Sequence, residues 1–273
     1  RALRVQLCVR RKAHGVTLTP SGSQVLRHAR QILRQAEDLE NSTSGQGPLT
    51  GALSLGCYVT LAPTVLPPLL QRFTALHPEL NIDFTEDTQD VLQQRLLAGE
   101  LDLAILYDMA VMPELARLVL YTIRPHVVLR ADHAMAQQPA VSLRELEPEP
   151  MVLLDAPPSS HNTLAIYEQL DLVPNVAYRP TTYEVTRALV GRGMGYALLV
   201  QRPLNDRTYD GNQVVIKEII EPVPDARVLI AWPRAIRLNQ RAEAFVRYCQ
   251  DDITSFAPQL AGTSSASPAR VNP

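Results

Sequence analysis

From residue 49 onward, short apolar runs alternate with segments in which apolar residues recur every three or four positions. The runs are typical of buried strands, and the longer spacing is typical of amphipathic helices. The pattern predicts strands at 49–56, 81–85, 101–106, 126–129, 152–154, 176–178, 195–199, 214–218 and 228–232. It predicts helices from about residue 61 and at 91–97, 163–170, 183–191 and 239–253. Strands separated by helical segments favour parallel sheets, so the fold class is α/β.

The start of the chain has a different pattern, in which apolar and polar residues alternate up to Val9. A turn signal follows at residues 13–15, and residues 16–18 suit a second short strand. Together they predict a hairpin with three basic residues at its tip: Arg10, Arg11 and Lys12.

A helix is predicted to begin at Thr19-Pro20, with Thr19 as the N-cap and Pro20 in the first helical position. Beyond it, five apolar residues recur in steps of four and three: Val25, Ala29, Ile32, Ala36 and Leu39. This is the a/d seam of a coiled coil over about two heptads. A single amphipathic helix packed on its own domain would have the same seam. We favour self-association, because the surrounding charged residues leave little else apolar on the helix.

Charge is divided unevenly along the chain. The first 34 residues hold eight Arg and Lys and no Asp or Glu, whereas the other 239 hold 18 basic and 28 acidic residues. A cationic end favours a polyanion, most commonly nucleic acid. A solvated basic helix face is the alternative.

Several classes of protein are disfavoured by what the sequence lacks. Cys8, Cys57 and Cys249 lie too far apart in sequence for a disulfide framework or a zinc cluster, so we expect inert thiols in a reducing cytoplasm. His126 and His133 have no nearby cluster, which argues against a metal site. No long apolar run or secretory leader is present, so no membrane partner is expected, and no cofactor is predicted.

Five motifs in one order resemble those of the LysR-type transcriptional regulators, and the similarity spans about residues 1–253. Leu-Cys-Val-Arg-Arg-Lys-Ala-His-Gly-Val-Thr-Leu-Thr-Pro-Ser-Gly at 7–22 is similar to that family's wing and the start of its linker helix. Leu-Thr-Pro-Ser-Gly at 18–22 is the most specific part. The other four motifs lie at 51–56, 73–78, 96–105 and 189–196.

The resemblance implies a domain order. Residues 1–19 would end a winged helix-turn-helix, most of which is missing, so the chain as given is not expected to read an operator alone. Residues 20–41 would be the dimerisation helix and 42–48 a hinge. Residues 49–257 would be a two-lobed effector domain like a periplasmic binding protein, with lobe I at about 49–155 and 228–253 and lobe II at about 158–224. Residues 258–273 would be a disordered tail.

By the same resemblance, the wing would contact promoter DNA. Arg10, Arg11 and Lys12 would bind backbone phosphates, with hydroxyl contacts from Thr17 and Thr19, although capping alone also explains Thr19. The full-length protein is expected to be a cytoplasmic homodimer or homotetramer.

Small-molecule effectors in such a fold bind across a cleft, at the carboxyl ends of strands where helices begin. The candidate residues are Thr60, Leu61, Glu86, Tyr107 and Asp108 in lobe I and Ser159, Ser160 and Thr181 in lobe II. A plain helix cap explains Thr60 equally well. Glu86 and Asp108 would repel an acid and favour an amine or a neutral polar effector, whereas Arg124 and Arg179 could reverse that preference.

Two other classes of protein remain as alternatives. A stand-alone solute-binding protein would share the two-lobed body, but the basic wing and the lack of a leader disfavour it. An enzyme is disfavoured because Ser159, Ser160 and His161 are merely adjacent and no Gly-x-Ser-x-Gly elbow is present. The glycines at 191, 193 and 195 follow a helix and precede a strand, the reverse of a dinucleotide-binding motif.

Overall fold

A computed structural model describes residues 5–11, 15–22, 24–26, 29, 30, 32 and 48–251. Lys12, Ala36, Leu39 and the predicted tail therefore lie outside the described residues. Within the described ranges, the chain forms two compact units. The first comprises the described residues up to 62 together with 69–120 and 228–251, and the second comprises residues 63–68 and 121–227.

The predicted hairpin is present at the start of the chain. Strands β1 (Cys8–Arg11) and β2 (Gly15–Leu18) pair antiparallel, and Arg11 opposite Gly15 is the last pair before the turn. Gly15 has φ +72, a left-handed conformation that glycine adopts without a Cβ clash. The alternation of apolar residues was therefore a correct strand signal.

The helix start at Thr19 is also confirmed, and described residues from 20 to 32 are helical. The Thr19 Oγ1 accepts a hydrogen bond from the Gly22 amide at 2.9 Å and donates to the Gln6 carbonyl at 2.6 Å. A Cβ at Gly22 would lie 1.9 Å from the Leu7 carbonyl oxygen. The Thr-Pro-Ser-Gly sequence thus joins hairpin and helix, because its threonine caps the helix and its glycine allows close packing.

The first unit contains a five-stranded sheet in the order β4-β3-β5-β13-β6. Its strands are β3 (Gly51–Tyr58), β4 (Leu80–Asp87), β5 (Leu103–Tyr107), β6 (Leu115–Ile123) and β13 (Ala226–Pro233). β3 is parallel to β4 and β5, whereas β13 runs antiparallel to β5. The long strand β6 was not predicted.

Three helices accompany this sheet: α1 (Ala62–Leu76), α2 (Gln89–Leu97) and α6 (Gln240–Asp251). One face of α1 buries Val65, Leu69 and Phe73, and the Phe73 ring lies 4.9 Å from that of Phe245 in α6. Pro67 and Pro68 lie within this continuous helix.

The second unit is built on two sets of strands. β9 (Pro150–Val152) is parallel to β10 (Asn175–Tyr178). β11 (Ala197–Leu199), β7 (His126–Arg130), β12 (Val214–Ile219) and β8 (Ala140–Val141) form a four-stranded sheet in that order. Tyr196, just before β11, forms a parallel bridge with Met151 and joins the two sets. The helices are α3 (Leu143–Leu146), α4 (Ser159–Gln169) and α5 (Tyr183–Gly191), with a 3₁₀ turn at Ala134–Gln137.

The expected lobe boundary at residue 155 is wrong. Residues 121–155 belong to the second unit, because β7 pairs with both β11 and β12 there. The first unit's large segment therefore ends at residue 120, within β6.

The predicted α/β fold class is confirmed by these parallel strands and flanking helices. No helix of the described part of the chain is both long and apolar enough to cross a membrane.

Candidate effector site

The carboxyl ends of three parallel strands meet at one edge of the first unit's sheet. Tyr58 at the end of β3 lies opposite Asp87 at the end of β4, and Cys57 lies opposite Ile105 in β5. This register brings four of the sequence-predicted residues to one edge, which we call the first-unit edge: Thr60, Glu86, Tyr107 and Asp108. Helix α1 begins at Ala62, two residues after Thr60.

Thr60 is the most informative residue of the first-unit edge. It is only 5 % exposed, and its Oγ1 has no hydrogen-bond partner among the described residues. A buried hydroxyl without a partner costs about 1–3 kcal/mol. Thr60 does not cap α1, because the N-cap residue is Leu61. The capping explanation is therefore wrong, and the hydroxyl is available to a ligand.

Leu61 was included in the predicted site, but its side chain and its amide are both used within the fold. Its side chain is fully buried in the core, and its amide donates to the Tyr58 carbonyl at 2.8 Å. The turn before α1 already uses this amide, so Leu61 supports the site without offering a group to a ligand.

The other residues of the first-unit edge differ in their surroundings. Tyr107 is buried, and its ring packs edge-on against Tyr58 with a centroid distance of 5.6 Å. Asp108 forms an ion pair with Arg117 at 3.3 Å, whereas Glu86 is exposed. Arg117 thus largely balances the Asp108 charge within the unit. Of the two carboxylates predicted to repel an acidic effector, Asp108 is therefore expected to do so less strongly than the sequence suggested.

Two buried glutamines that the sequence analysis missed hold the loop after β5. The Gln89 side chain accepts from the Tyr107 amide at 3.1 Å and donates to the Tyr107 carbonyl at 3.1 Å and to the Met109 carbonyl. Gln93, one turn later, accepts from the Met112 amide at 2.7 Å and donates to the Ala110 carbonyl at 3.3 Å. Their spacing of four residues on α2 was the only available signal.

The second unit has a comparable polar edge. β9 and β10 are parallel, so the residues that follow them, Ser159, Ser160 and Thr181, lie at one edge of the sheet. Ser160 in the first turn of α4 is 2 % exposed, and its Oγ lacks a partner within the described ranges. Thr181 is exposed. Ser160 is therefore a second buried hydroxyl without a hydrogen-bond partner among the described residues.

His126 lies at the same edge but was not predicted as a site residue. It begins β7, which is antiparallel to β11, and its register partner is Leu199 at the carboxyl end of β11. His126 is fully buried, and neither ring nitrogen has a hydrogen-bond partner in the described part of the chain. Burial first, and then the charges of Arg202 and Arg187, lower the pKa of His126 well below its ordinary value. We call His126, Ser159, Ser160 and Thr181 the second-unit edge.

The two arginines proposed to attract an acid are both paired. Arg124 lies 3.6 Å from Asp225, and Arg179 lies 3.7 Å from Asp155. Both pairs are partly exposed, so neither arginine offers a strong uncompensated charge. The two arginines therefore do not favour an acid, and the exposed Glu86 still disfavours one at the first-unit edge.

The predicted DNA-contacting residues have different surroundings. Arg10 and Thr17 are exposed on the hairpin, whereas the Thr19 hydroxyl caps the helix and bonds Gln6. The internal role of Thr19 replaces the suggested DNA contact. In the predicted seam, Val25 is half-buried, Ala29 is exposed and Ile32 is 64 % exposed.

Metal binding finds no support in the described ranges, where no group of three or more His, Cys, Asp or Glu residues is arranged to hold an ion. The described cysteines are free thiols. Burial, and secondarily the Glu86 charge, raise the pKa of Cys57 well above its ordinary value, and burial also raises the pKa of Cys249. Both of these thiols therefore stay protonated at neutral pH.

Comparison with known proteins agrees with this architecture. The C-terminal domain of a probable LysR family transcriptional regulator from Rhodococcus sp. RHA1 is 44 % identical, with a TM-score of 0.72, over 74 % of this chain and 99 % of that one. HinK, a LysR family transcriptional regulator from Pseudomonas aeruginosa, is 36 % identical, with a TM-score of 0.74, over 87 % of this chain and 81 % of that one. The Hca operon transcriptional activator HcaR of Escherichia coli is 27 % identical over 92 % of this chain and 84 % of its own length.

The named relatives are transcriptional regulators, and their effector domains share the two-lobed fold of periplasmic binding proteins. Residues 46–254 match the LysR substrate binding domain family. The chain therefore belongs to the LysR family of transcriptional regulators, with its effector-binding domain in these residues.

Proposed function

We propose that the protein is a cytoplasmic, non-enzymatic regulator that senses a small polar molecule and adjusts its binding to promoter DNA. The observation that carries the sensing proposal is the pair of buried hydroxyls without partners, on Thr60 and Ser160. Each lies where a strand ends and a helix begins, the usual place for a ligand in an open α/β sheet. At each edge, a bound group that completes the hydrogen bond of the buried hydroxyl would be favoured.

The charges at each edge indicate the kind of effector. Asp108, Arg124 and Arg179 are each in an ion pair and Glu86 is exposed, so an acidic ligand gains little from its charge. A hydroxyl or amide group would match the buried hydroxyl of either edge. We therefore propose an uncharged polar effector.

A thermal-shift screen of uncharged, acidic and basic small metabolites tests this proposal. A compound at about one hundred times its Kd stabilises the protein by about 2.7 kcal/mol. Thr60→Val should weaken binding about tenfold and reduce the stabilisation to about 1.4 kcal/mol, because valine has the shape of threonine without its hydroxyl. The control is Thr74→Val, an exposed threonine of α1 whose hydroxyl bonds the Leu70 carbonyl. A compound that stabilises Thr60→Val as strongly as the parent chain would count against the site.

DNA binding is proposed for the hairpin because Arg10 is exposed on it and Arg11 and Lys12 follow in sequence. Contacts with phosphates give affinity without sequence preference and make binding dependent on salt. Arg10→Ala in the full-length protein should weaken binding to all duplexes alike and reduce the slope of log affinity against log salt by about one. An unchanged slope in a mobility-shift titration would refute the contact.

Self-association is proposed through the helix that follows Thr19. Ile32 is well exposed and continues the spacing of Val25 and Ala29, so a second copy would cover it. Ile32→Glu should place a charge in the seam and dissociate the dimer formed through this helix. Light scattering measures the outcome, and an unchanged molar mass would refute the seam.

A further inference from the structure

We infer that His126 is a ligand-binding residue of the second unit, and that its imidazole takes an uncharged group with both a hydrogen-bond donor and an acceptor, such as a hydroxyl or a carboxamide. This inference rests on the proposed effector-sensing function and adds a residue and a chemical class to it.

The position of His126 follows from the sheet. β7 runs antiparallel to β11, so the start of β7 lies at the edge where β11 ends. β12 is antiparallel to β7, so its carboxyl end reaches the same edge, with Lys217 opposite Val127. The bridge at Tyr196 extends this edge to the end of β9, and α4 with Ser160 follows soon after. His126 is therefore an edge residue despite its complete burial.

A neutral imidazole has one N–H donor and one bare nitrogen acceptor. Both are without partners at His126 among the described residues, although the ring is 0 % exposed. By contrast, other buried polar groups nearby are well bonded: the Arg187 guanidinium donates to Glu184 and to the carbonyls of Asn205 and Arg207. The chain thus satisfies its structural polar groups in this region and leaves the imidazole free to bind something else.

Burial is the main cause that keeps the His126 ring neutral, with a smaller contribution from Arg202 and Arg187. Arg202 is paired with Glu218 at 2.7 Å, and Arg187 is paired with Glu184 at 2.9 Å. Because each arginine has a carboxylate partner, the two add little net charge to the subsite. Ser160, the other buried group of this edge without a partner, is also neutral.

The neutral, buried His126 ring indicates the chemistry of the ligand group. The two ring nitrogens point in diverging directions, so one group of the ligand bonds one of them. An ionised carboxylate or ammonium would have to lose its hydration in this buried place, which costs more than one hydrogen bond returns. A hydroxyl or a carboxamide is uncharged and can either accept from the ring N–H or donate to the bare nitrogen. Because the ring is fully buried in the unliganded chain, the ligand can reach it only when the edge opens, so binding and opening are coupled.

A structural role for His126 predicts the opposite of a binding role. If internal hydrogen bonds or a trapped water stabilised the ring, His126→Leu would lower the melting temperature. In a binding role, His126→Leu removes two unsatisfied groups from the core, so the melting temperature of the unliganded protein stays the same or rises. A clear fall, with His126→Gln close to the parent, would overturn the inference.

The binding experiment uses four fragments with the same ring: cyclohexanol, cyclohexanecarboxamide, cyclohexanecarboxylate and cyclohexylamine. The ring ¹⁵N resonances of His126 are assigned from their loss in His126→Leu and are followed during each titration of the full chain. We expect the alcohol or the amide to shift them, to bind about tenfold more weakly to His126→Leu, and to bind His126→Gln almost as the parent does. Preference for the acid or the amine, equal affinity for His126→Leu, or no shift with any fragment would overturn the inference.

Thr60→Val separates this inference from the proposed function. If compounds from the wider metabolite screen lose binding with Thr60→Val but not with His126→Leu, the sensing function stands and the role of His126 is refuted. If no compound depends on either residue, the sensing function itself is refuted.

Discussion

The first-unit edge and the second-unit edge treat buried polar groups in different ways. At the first-unit edge, the Gln89 and Gln93 amides are bonded to the loop after β5, whereas the buried Thr60 hydroxyl has no partner among the described residues. In the second unit, both the His126 ring and the Ser160 hydroxyl lack one. Bonded polar groups define a conformation, whereas groups without partners are ready for a ligand. Removing a buried polar side chain is therefore expected to lower stability where the side chain is bonded, and to keep or raise stability where it has no partner.

The largest expected effect is at Gln89. Gln89→Leu removes both bonds to the Tyr107 backbone and the bond to the Met109 carbonyl, so it should lower the free energy of unfolding by about 3 kcal/mol. Urea denaturation measures this loss. Gln94→Leu, an exposed glutamine of the same helix, is the matched control and should change stability by about 0.5 kcal/mol or less. Similar values for the two variants would remove the contrast between the edges.

An intermediate effect is expected from pH at the second-unit edge. The pKa of His126 is lowered in the folded protein, chiefly by burial, so the unfolded chain binds a proton more readily. Above about pH 6.5 the ring is neutral in both states and does not change the free energy of unfolding. As the pH falls below that value, protonation of the unfolded chain lowers the free energy of unfolding. The loss contributes at most about 1.4 kcal/mol per pH unit.

Urea denaturation between pH 7.5 and pH 5 checks this expectation. His126→Leu should lose less stability than the parent chain across that range. The pKa of Glu221 is also shifted: burial acts to raise it, but hydrogen bonds from Ser142 and from the Leu143 and Arg144 amides outweigh burial and lower it. The stability that ionised Glu221 contributes is lost only as the pH falls below 4.5, the ordinary pKa of a glutamate. Glu221 therefore adds little to the change measured between pH 7.5 and pH 5. If the parent chain and His126→Leu had the same pH dependence, the assignment of this effect to His126 would be refuted.

The smallest expected effect concerns charge at the first-unit edge. Arg117 is half exposed, so Arg117→Ala should change the free energy of unfolding by about 0.5 kcal/mol or less. It leaves the Asp108 carboxylate without its cation, and acidic compounds from the screen should then bind about threefold more weakly while uncharged ones are unaffected. Arg247→Ala, which breaks an exposed pair with Glu243 in α6, is the control. Equal effects on acidic and uncharged compounds would show that Asp108 does not act on the ligand.

Local patterns were sufficient for most of the fold. The capped helix at Thr19, the hairpin before it and the α/β alternation all follow from spacing and turn chemistry within about ten residues. β6 was missed because Arg117 and other polar residues interrupt its apolar positions, and its partner β13 is more than one hundred residues away in sequence. The lobe boundary was misplaced for the same reason, since the partners of β7 come much later in the chain.

Part of the candidate site could be predicted, because Thr60 and Ser160 stand at strand-to-helix turns that are visible in the sequence. The pairing of Asp108 with Arg117 and the fixing of the loop by Gln89 depend on side-chain contacts that spacing does not reveal. His126 was read as an ordinary strand residue, because a lone histidine in an apolar run gives no sign of whether its nitrogens find partners. Only the three-dimensional arrangement identifies it.

Gly22 has a mechanical consequence. Its backbone lies against the Leu7 carbonyl, and the Thr19 hydroxyl bonds both Gly22 in the helix and Gln6 before the hairpin. These contacts hold the hairpin closely against the helix that follows it. We expect a rotation of that helix to turn the hairpin with it. The orientation of Arg10 would then follow that of the helix.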